Sequence, residues 1–173
     1  MQPDPGWRPT VARALFLFGR RRPFDDAILT MRQVFLSFVV SLFMFQFVLL
    51  FIPTGEPVKA GLAAVLVGVG AFIALVAPRF APKLSCDSDA ALAGTYRSRM
   101  FVYIAAAETP ALLGFVAYFN ANTWWSYPLG ALIALVSFWF AAPTAAHFAR
   151  DQDALNAGGC GRSLVDALRG SHS

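Results

Sequence analysis

The chain has 173 residues, 57% of them apolar, with a mean hydropathy of +0.56 and a net charge of +4. Soluble globular domains average about 45–50% apolar, so this composition excludes an ordinary soluble domain and points to a membrane protein. The positive charge does not indicate nucleic-acid binding. Basic residues flank long apolar runs, and no aromatic-interleaved basic surface or nucleic-acid-binding motif is visible.

Residues 1–32 read as a cytoplasmic tail with a short helix. The segment Pro9–Gly19 is apolar apart from Thr10 and Arg13, and is too short to span a bilayer. Val11, Leu15 and Phe18 share one face, so the segment suits an interfacial helix on the cytoplasmic leaflet or a helix packed beneath the membrane bundle. Arg20, Arg21 and Arg22 follow as a topology signal and a contact for lipid phosphates. Asp25 or Asp26 is placed to cap the next helix. No cleavable signal peptide is visible, which makes the apolar run after Arg32 a retained anchor.

Four apolar runs predict an all-α, four-span transmembrane bundle, with spans near residues 33–52, 58–77, 100–119 and 126–146 of a membrane domain covering 33–148. In the first span Ser37, Ser41 and Gln46 are the polar residues; Ser37 and Ser41 lie one turn apart and are expected to meet another helix. In the second span Gly61, Ala64, Gly68 and Ala71 line one side, a stripe that lets a neighbouring backbone approach closely. The loop that follows ends in Asp87 and Ser88, either of which can cap a helix starting near Asp89 and running through Arg97 and Arg99 into the third span. Trp124, Trp125 and Tyr127 are expected to form an aromatic belt. The fourth span carries Ser137, and Pro143 predicts a bend near its inner end. Residues 149–173 form a second cytoplasmic tail, with Gly158 and Gly159 stopping its helix.

Thirteen basic residues fall in the segment before the first span, the loop between the second and third spans, and the tail; Lys59 alone falls on the opposite side. That bias places both termini in the cytoplasm, with the plasma (inner) membrane as location. Cys86 and Cys160 share no metal-ligand spacing, and both fall in segments assigned to the cytoplasm, so no disulfide is expected. No Walker loop, dinucleotide fingerprint, HExxH or nucleophile elbow is present, and neither His147 nor His172 belongs to a recognisable site. Neither a catalytic residue nor a metal or cofactor is expected.

The third span, MFVYIAAAETPALLGFVAYF, carries the chain's one mid-span acid, Glu108, with Pro110 two residues on. Twenty helical residues cover about 30 Å, the hydrocarbon thickness of a bilayer. A carboxylate at that depth costs at least ~2.5 kcal/mol on insertion scales, so Glu108 needs a proton, a cation or a hydrogen-bonding partner. Pro110 cannot donate to the carbonyl of Ala106, and that carbonyl with the Thr109 hydroxyl would furnish a small polar pocket. Ala107, Ala111 and Gly114 form a small-residue face for close packing beside the acid. Two readings stay open: a functional ion or proton site, and a protonated hydrogen bond between helices.

The stretch Ala107-Glu108-Thr109-Pro110-Ala111-Leu112-Leu113-Gly114-Phe115-Val116 resembles the carboxylate helix of proteolipid, or c-type, subunits of rotary ATPases. Over residues 60–119 the chain is also loosely similar to that family's hairpin, a glycine-bearing helix joined through a basic loop to the acid-bearing one. The resemblance implies that Glu108 carries a proton or cation. It extends to local chemistry and not to the whole chain, since the fourth span has no acid. Two functional classes follow: a small transport-related subunit with a mid-membrane carboxylate, or a non-catalytic scaffold or accessory subunit. The partners expected are the lipid bilayer and either further copies of the chain or other membrane subunits.

Overall fold

The computed structural model describes residues 6–15, 27–55 and 59–170. Arg20, Arg21, Arg22, Asp25 and Asp26 lie outside the described residues. Among those described, the fold is all-helical: α1 (Arg8–Leu15), α2 (Ala27–Leu49), α3 (Ala60–Val76), α4 (Asp89–Asn120), α5 (Ser126–Ala141), α6 (Ala145–Ala157) and α7 (Leu164–Gly170). A single 3-10 turn, Ala77–Phe80, extends α3.

Three helical segments are long and apolar enough to cross a membrane: Ala27–Leu49, Ala60–Phe80 and Asp89–Asn120. A fourth is available if α5 and α6, bent by 55° across a short break, count as one broken span. These helices are compatible with a small multi-pass membrane protein. Their boundaries have local causes. Ser88 caps α4, its hydroxyl accepting from the Ala91 amide at 3.1 Å and its carbonyl from the Leu92 amide at 2.9 Å. From there α4 runs 32 residues without a break. Pro143 interrupts the fourth run, because a proline lacks the amide donor and clashes with the preceding turn. The chain restarts at Thr144, whose side chain accepts from the His147 amide as the cap of α6. Gly158 closes α6, and Gly159 takes φ +81°, a conformation glycine adopts without a steric penalty.

The chain divides into two compact units that do not follow its linear order. The first comprises the described residues of Met1–Leu36, Pro82–Arg99 and Ala142–Ser173. Trp7 meets Phe35 edge-on, with ring centroids 5.9 Å apart, and Tyr96 stacks on Phe148 at 5.6 Å. Among the α1 side chains described, Thr10 is buried and Val11 is exposed. Arg99 pairs with Asp151 at 3.5 Å. Here the structure corrects the sequence reading of the cysteines: Cys86 and Cys160 are joined by a disulfide, their Cα atoms 6.0 Å apart. The expectation of no disulfide rests on compartment alone, which carries no information about two positions 74 residues apart in sequence that the fold brings together.

The second unit comprises the described residues of Ser37–Ala81 and Met100–Ala141. Here α3 packs on α5, and Ala63, Ala117 and Ala121 form a buried cluster covered by Leu66 and Trp125. Two tyrosines tie α2 to the other helices. The Tyr118 hydroxyl donates to the carbonyls of Leu49, at 3.0 Å, and Ile52. The Tyr127 hydroxyl donates to the carbonyl of Leu42 at 2.8 Å. Tyr127 is therefore no belt residue: it is 1% exposed, because its hydroxyl finds a carbonyl acceptor inside the bundle. Trp124, in contrast, is 66% exposed.

Candidate functional site

Glu108 lies on α4, nineteen positions after the helix begins at Asp89 and twelve before it ends at Asn120. At 1.5 Å per residue the carboxylate sits ~18 Å from the Asn120 end, roughly half a hydrocarbon thickness. Its place on the helix surface follows from period. Phe101, Ala105, Leu112, Val116 and Phe119 are exposed, and Glu108, half-buried, falls in line with them at the three- and four-residue steps of one helical face. The face opposite Glu108 is turned inward, with Ala106, Pro110 and Ala117 buried, and the buried Ile104, Ala107 and Ala111 border the acid on one side. The acid thus stands at the border between an exposed apolar stripe and the buried face of α4.

The inward face is positioned by glycines: Gly114, which the sequence pattern favours, and Gly70 and Gly130, which it does not. A Cβ built on Gly70 of α3 would stand 2.6 Å from the Pro110 Cα and 3.2 Å from the Thr109 carbonyl oxygen. One built on Gly130 of α5 would collide with the Pro110 carbonyl and stand 3.2 Å from the Ala111 Cα. Pro110, two residues from the acid, is clasped between two glycine surfaces. Gly114 has the same role a turn later: the Ser126 backbone crosses where its Cβ would be, and the Ser126 hydroxyl donates to the Gly114 carbonyl at 3.0 Å. Ala107 and Ala111 pack inside this unit as well.

By contrast, a Cβ on Gly61 or Gly68 would meet nothing within 4 Å, and Ala64 is exposed alongside them. The close approach that the stripe predicts is absent within the described residues. The buried face of α3 is Ala63, Val67 and Gly70. On an almost uniformly apolar helix the periodicity does not reveal which side faces the bundle.

The small polar groups also turn back on their own helices. The Thr109 hydroxyl donates to the Ala105 carbonyl at 2.8 Å, so it does not join the Ala106 carbonyl in a pocket. Ser41 donates to the Phe38 carbonyl at 2.7 Å and Ser137 to the Ile133 carbonyl at 2.9 Å, which replaces the interhelical contact expected of Ser41. Ser37 is exposed and Gln46 half-buried. Among the described residues, Glu108 has no hydrogen bond or ion pair. Tyr127 lies within electrostatic reach of it, with its own hydroxyl proton committed to Leu42.

In the first unit the structure reveals the role of a residue that the sequence presents only as a topology charge. Arg32 is 0% exposed. Its Nε donates to the Pro143 carbonyl at 3.0 Å and its Nη1 to the Gly6 carbonyl at 2.8 Å. The guanidinium lies near the rings of Trp7, at 5.3 Å, and Phe148, at 5.9 Å. A planar cation that stacks and donates along its edge suits such a slot, where a lysine does not. It fastens the break before α6 and the residues ahead of α1 to the start of α2. A cavity of about 470 Å³ also opens in this unit, lined by Ile28, Phe148, Gln152, Arg162, Val165 and Asp166 among others. Among the described residues no group of three or more His, Cys, Asp or Glu side chains is arranged to hold a metal ion.

Comparison with protein-family models, with curated proteins and with solved structures yields no match.

Proposed function

We propose that this chain is a small multi-pass subunit of the plasma (inner) membrane, with both termini cytoplasmic, in which Glu108 takes up and releases a proton or cation at mid-depth. One observation carries the reading: Glu108 stands half-buried at the edge of an exposed apolar stripe of α4, with no hydrogen bond or ion pair among the described residues. A carboxylate left that way in lipid is unstable, so it is protonated, ion-bound or completed by a group from another chain. The resemblance of Ala107–Val116 to the carboxylate helix of c-type subunits supports the first two states. Assembly of several copies would bring such acids together, and like charges at close range favour the protonated or ion-bound form. The charge bias of thirteen basic residues to one supports the orientation.

The second reading is an accessory subunit that holds a membrane complex together. It is favoured by the outward stripe of Gly61, Ala64 and Gly68, which nothing in this chain covers within the described residues. The two readings part on Glu108→Gln. Under the transport reading the variant keeps its native mass and co-purifying partners and loses ion flux in reconstituted vesicles. Loss of assembly alone supports the accessory role. Intact flux and intact assembly together remove Glu108 from both.

A further inference from the structure

We propose that Cys86 and Cys160 form a reversible redox clasp that fastens the segment before α4 to the turn between α6 and α7. The bond links an exposed cysteine in the loop to a partner 7% exposed after α6. It does not stand alone. Arg162, two residues beyond Cys160, donates from Nε to the Cys86 carbonyl at 3.1 Å and from Nη2 to the Asp87 carbonyl at 3.3 Å. Its Nη1 pairs with Asp89 Oδ1 at 2.7 Å. Gln152 of α6 holds the same turn, donating to the Arg162 carbonyl at 2.9 Å and accepting from the Leu164 amide at 2.7 Å. These contacts need no sulfur–sulfur bond, so they keep the two thiols close after reduction and let the bond close again.

The inference rests on the orientation proposed above. Both cysteines belong to the segments that carry thirteen of the fourteen basic residues, hence to the reducing side of the membrane. Disulfides in such a compartment are usually transient and redox-sensing rather than structural. The exchange is balanced by a low-molecular-weight disulfide. The Cys86 thiolate, being exposed, attacks one of its sulfurs and expels a thiolate, leaving a mixed disulfide. The Cys160 thiolate then attacks the Cys86 sulfur, forms the internal bond and expels the second thiolate. Two protein thiols are oxidised, and one small disulfide is reduced to two thiols. Gly161 and Arg162 abut the 470 Å³ cavity, so the clasp fixes part of its wall.

The test uses the full-length chain in its own membrane. Thiols are trapped by acid quenching and counted with a mass-tagged maleimide, before and after exposure of permeabilised cells to oxidised glutathione. A C-terminal reporter on the Cys86→Ser, Cys160→Ser double variant reads orientation separately. The expected result is two free thiols in growing cells, none after oxidation, and recovery with dithiothreitol. Trypsin cleavage after Arg162 and Arg169 should slow about tenfold or more on oxidation, and not in Cys160→Ser. Arg162→Ala should slow re-formation of the bond without preventing it. A bond that persists in growing cells with a cytoplasmic reporter overturns the switch and leaves the orientation standing. The same bond with the reporter outside overturns both, and failure to form under oxidation overturns the clasp.

Discussion

Replacing Gly70 by alanine tests the junction beside Glu108. The added Cβ would lie 2.6 Å from the Pro110 Cα, 3.1 Å from its nitrogen and 3.2 Å from the Thr109 oxygen. All three are backbone atoms, which cannot swing aside, and carbon–carbon contact is comfortable only near 3.5–4.0 Å. One helix must therefore retreat by about 1 Å, and overpacking of this kind costs roughly 1–3 kcal/mol. Alanine also favours the helix by about 1 kcal/mol over glycine, which would mask some of the loss. Gly68→Ala supplies the control: same helix, same propensity change, and open space around the new methyl. The difference between the two variants isolates the steric term, so Gly70→Ala should unfold at the lower denaturant concentration by an amount equal to about 1–3 kcal/mol. Tryptophan fluorescence in mixed micelles follows the transition. Equal midpoints for the two variants would refute the junction.

Further predictions concern single contacts. Arg32→Ala removes a buried cation from beside Trp7 and Phe148 and leaves the Pro143 and Gly6 carbonyls without their donor; a loss of about 1–3 kcal/mol for each carbonyl is expected, read by thermal unfolding in detergent. Arg32→Lys should recover only a fraction of it, because an ammonium cannot stack and fork at once. Tyr118→Phe deletes the hydroxyl shared by the Leu49 and Ile52 carbonyls and should lower stability by ~1 kcal/mol in the same assay. Thr144→Ala strips the cap from α6 and should cost about 1 kcal/mol, with faster amide exchange confined to the first turn.

The sequence is informative where local chemistry decides the outcome. Long apolar runs place the spans, Ser88 marks the start of α4, and Pro143 marks the break that separates α5 from α6. It is silent where the outcome depends on what another segment brings. Gly61 and Gly68 carry the repeat, yet Gly70 and Gly130 make the close approach, since a helix apolar on all sides does not announce its buried face. Tyr127 looks like a belt residue until the Leu42 carbonyl appears opposite its hydroxyl. Arg32 reads as one more flanking charge, because nothing local foretells two aromatic rings from distant segments. Glu108 stands out in the sequence by its cost in an apolar span. That it sits half-buried at the border of the exposed stripe of Leu112 and Val116 emerges only once the inward face of α4 is fixed by α3 and α5.

Glu108 itself is best interrogated by carbodiimide labelling in native membranes, followed by peptide mass mapping. A carboxyl embedded in lipid and holding a proton should react with a hydrophobic carbodiimide, resist a water-soluble one, and lose labelling as the coupling cation or rising pH displaces that proton. Modification of Glu108 by the water-soluble reagent alone would mean that the side chain opens to bulk water, and would contradict the account.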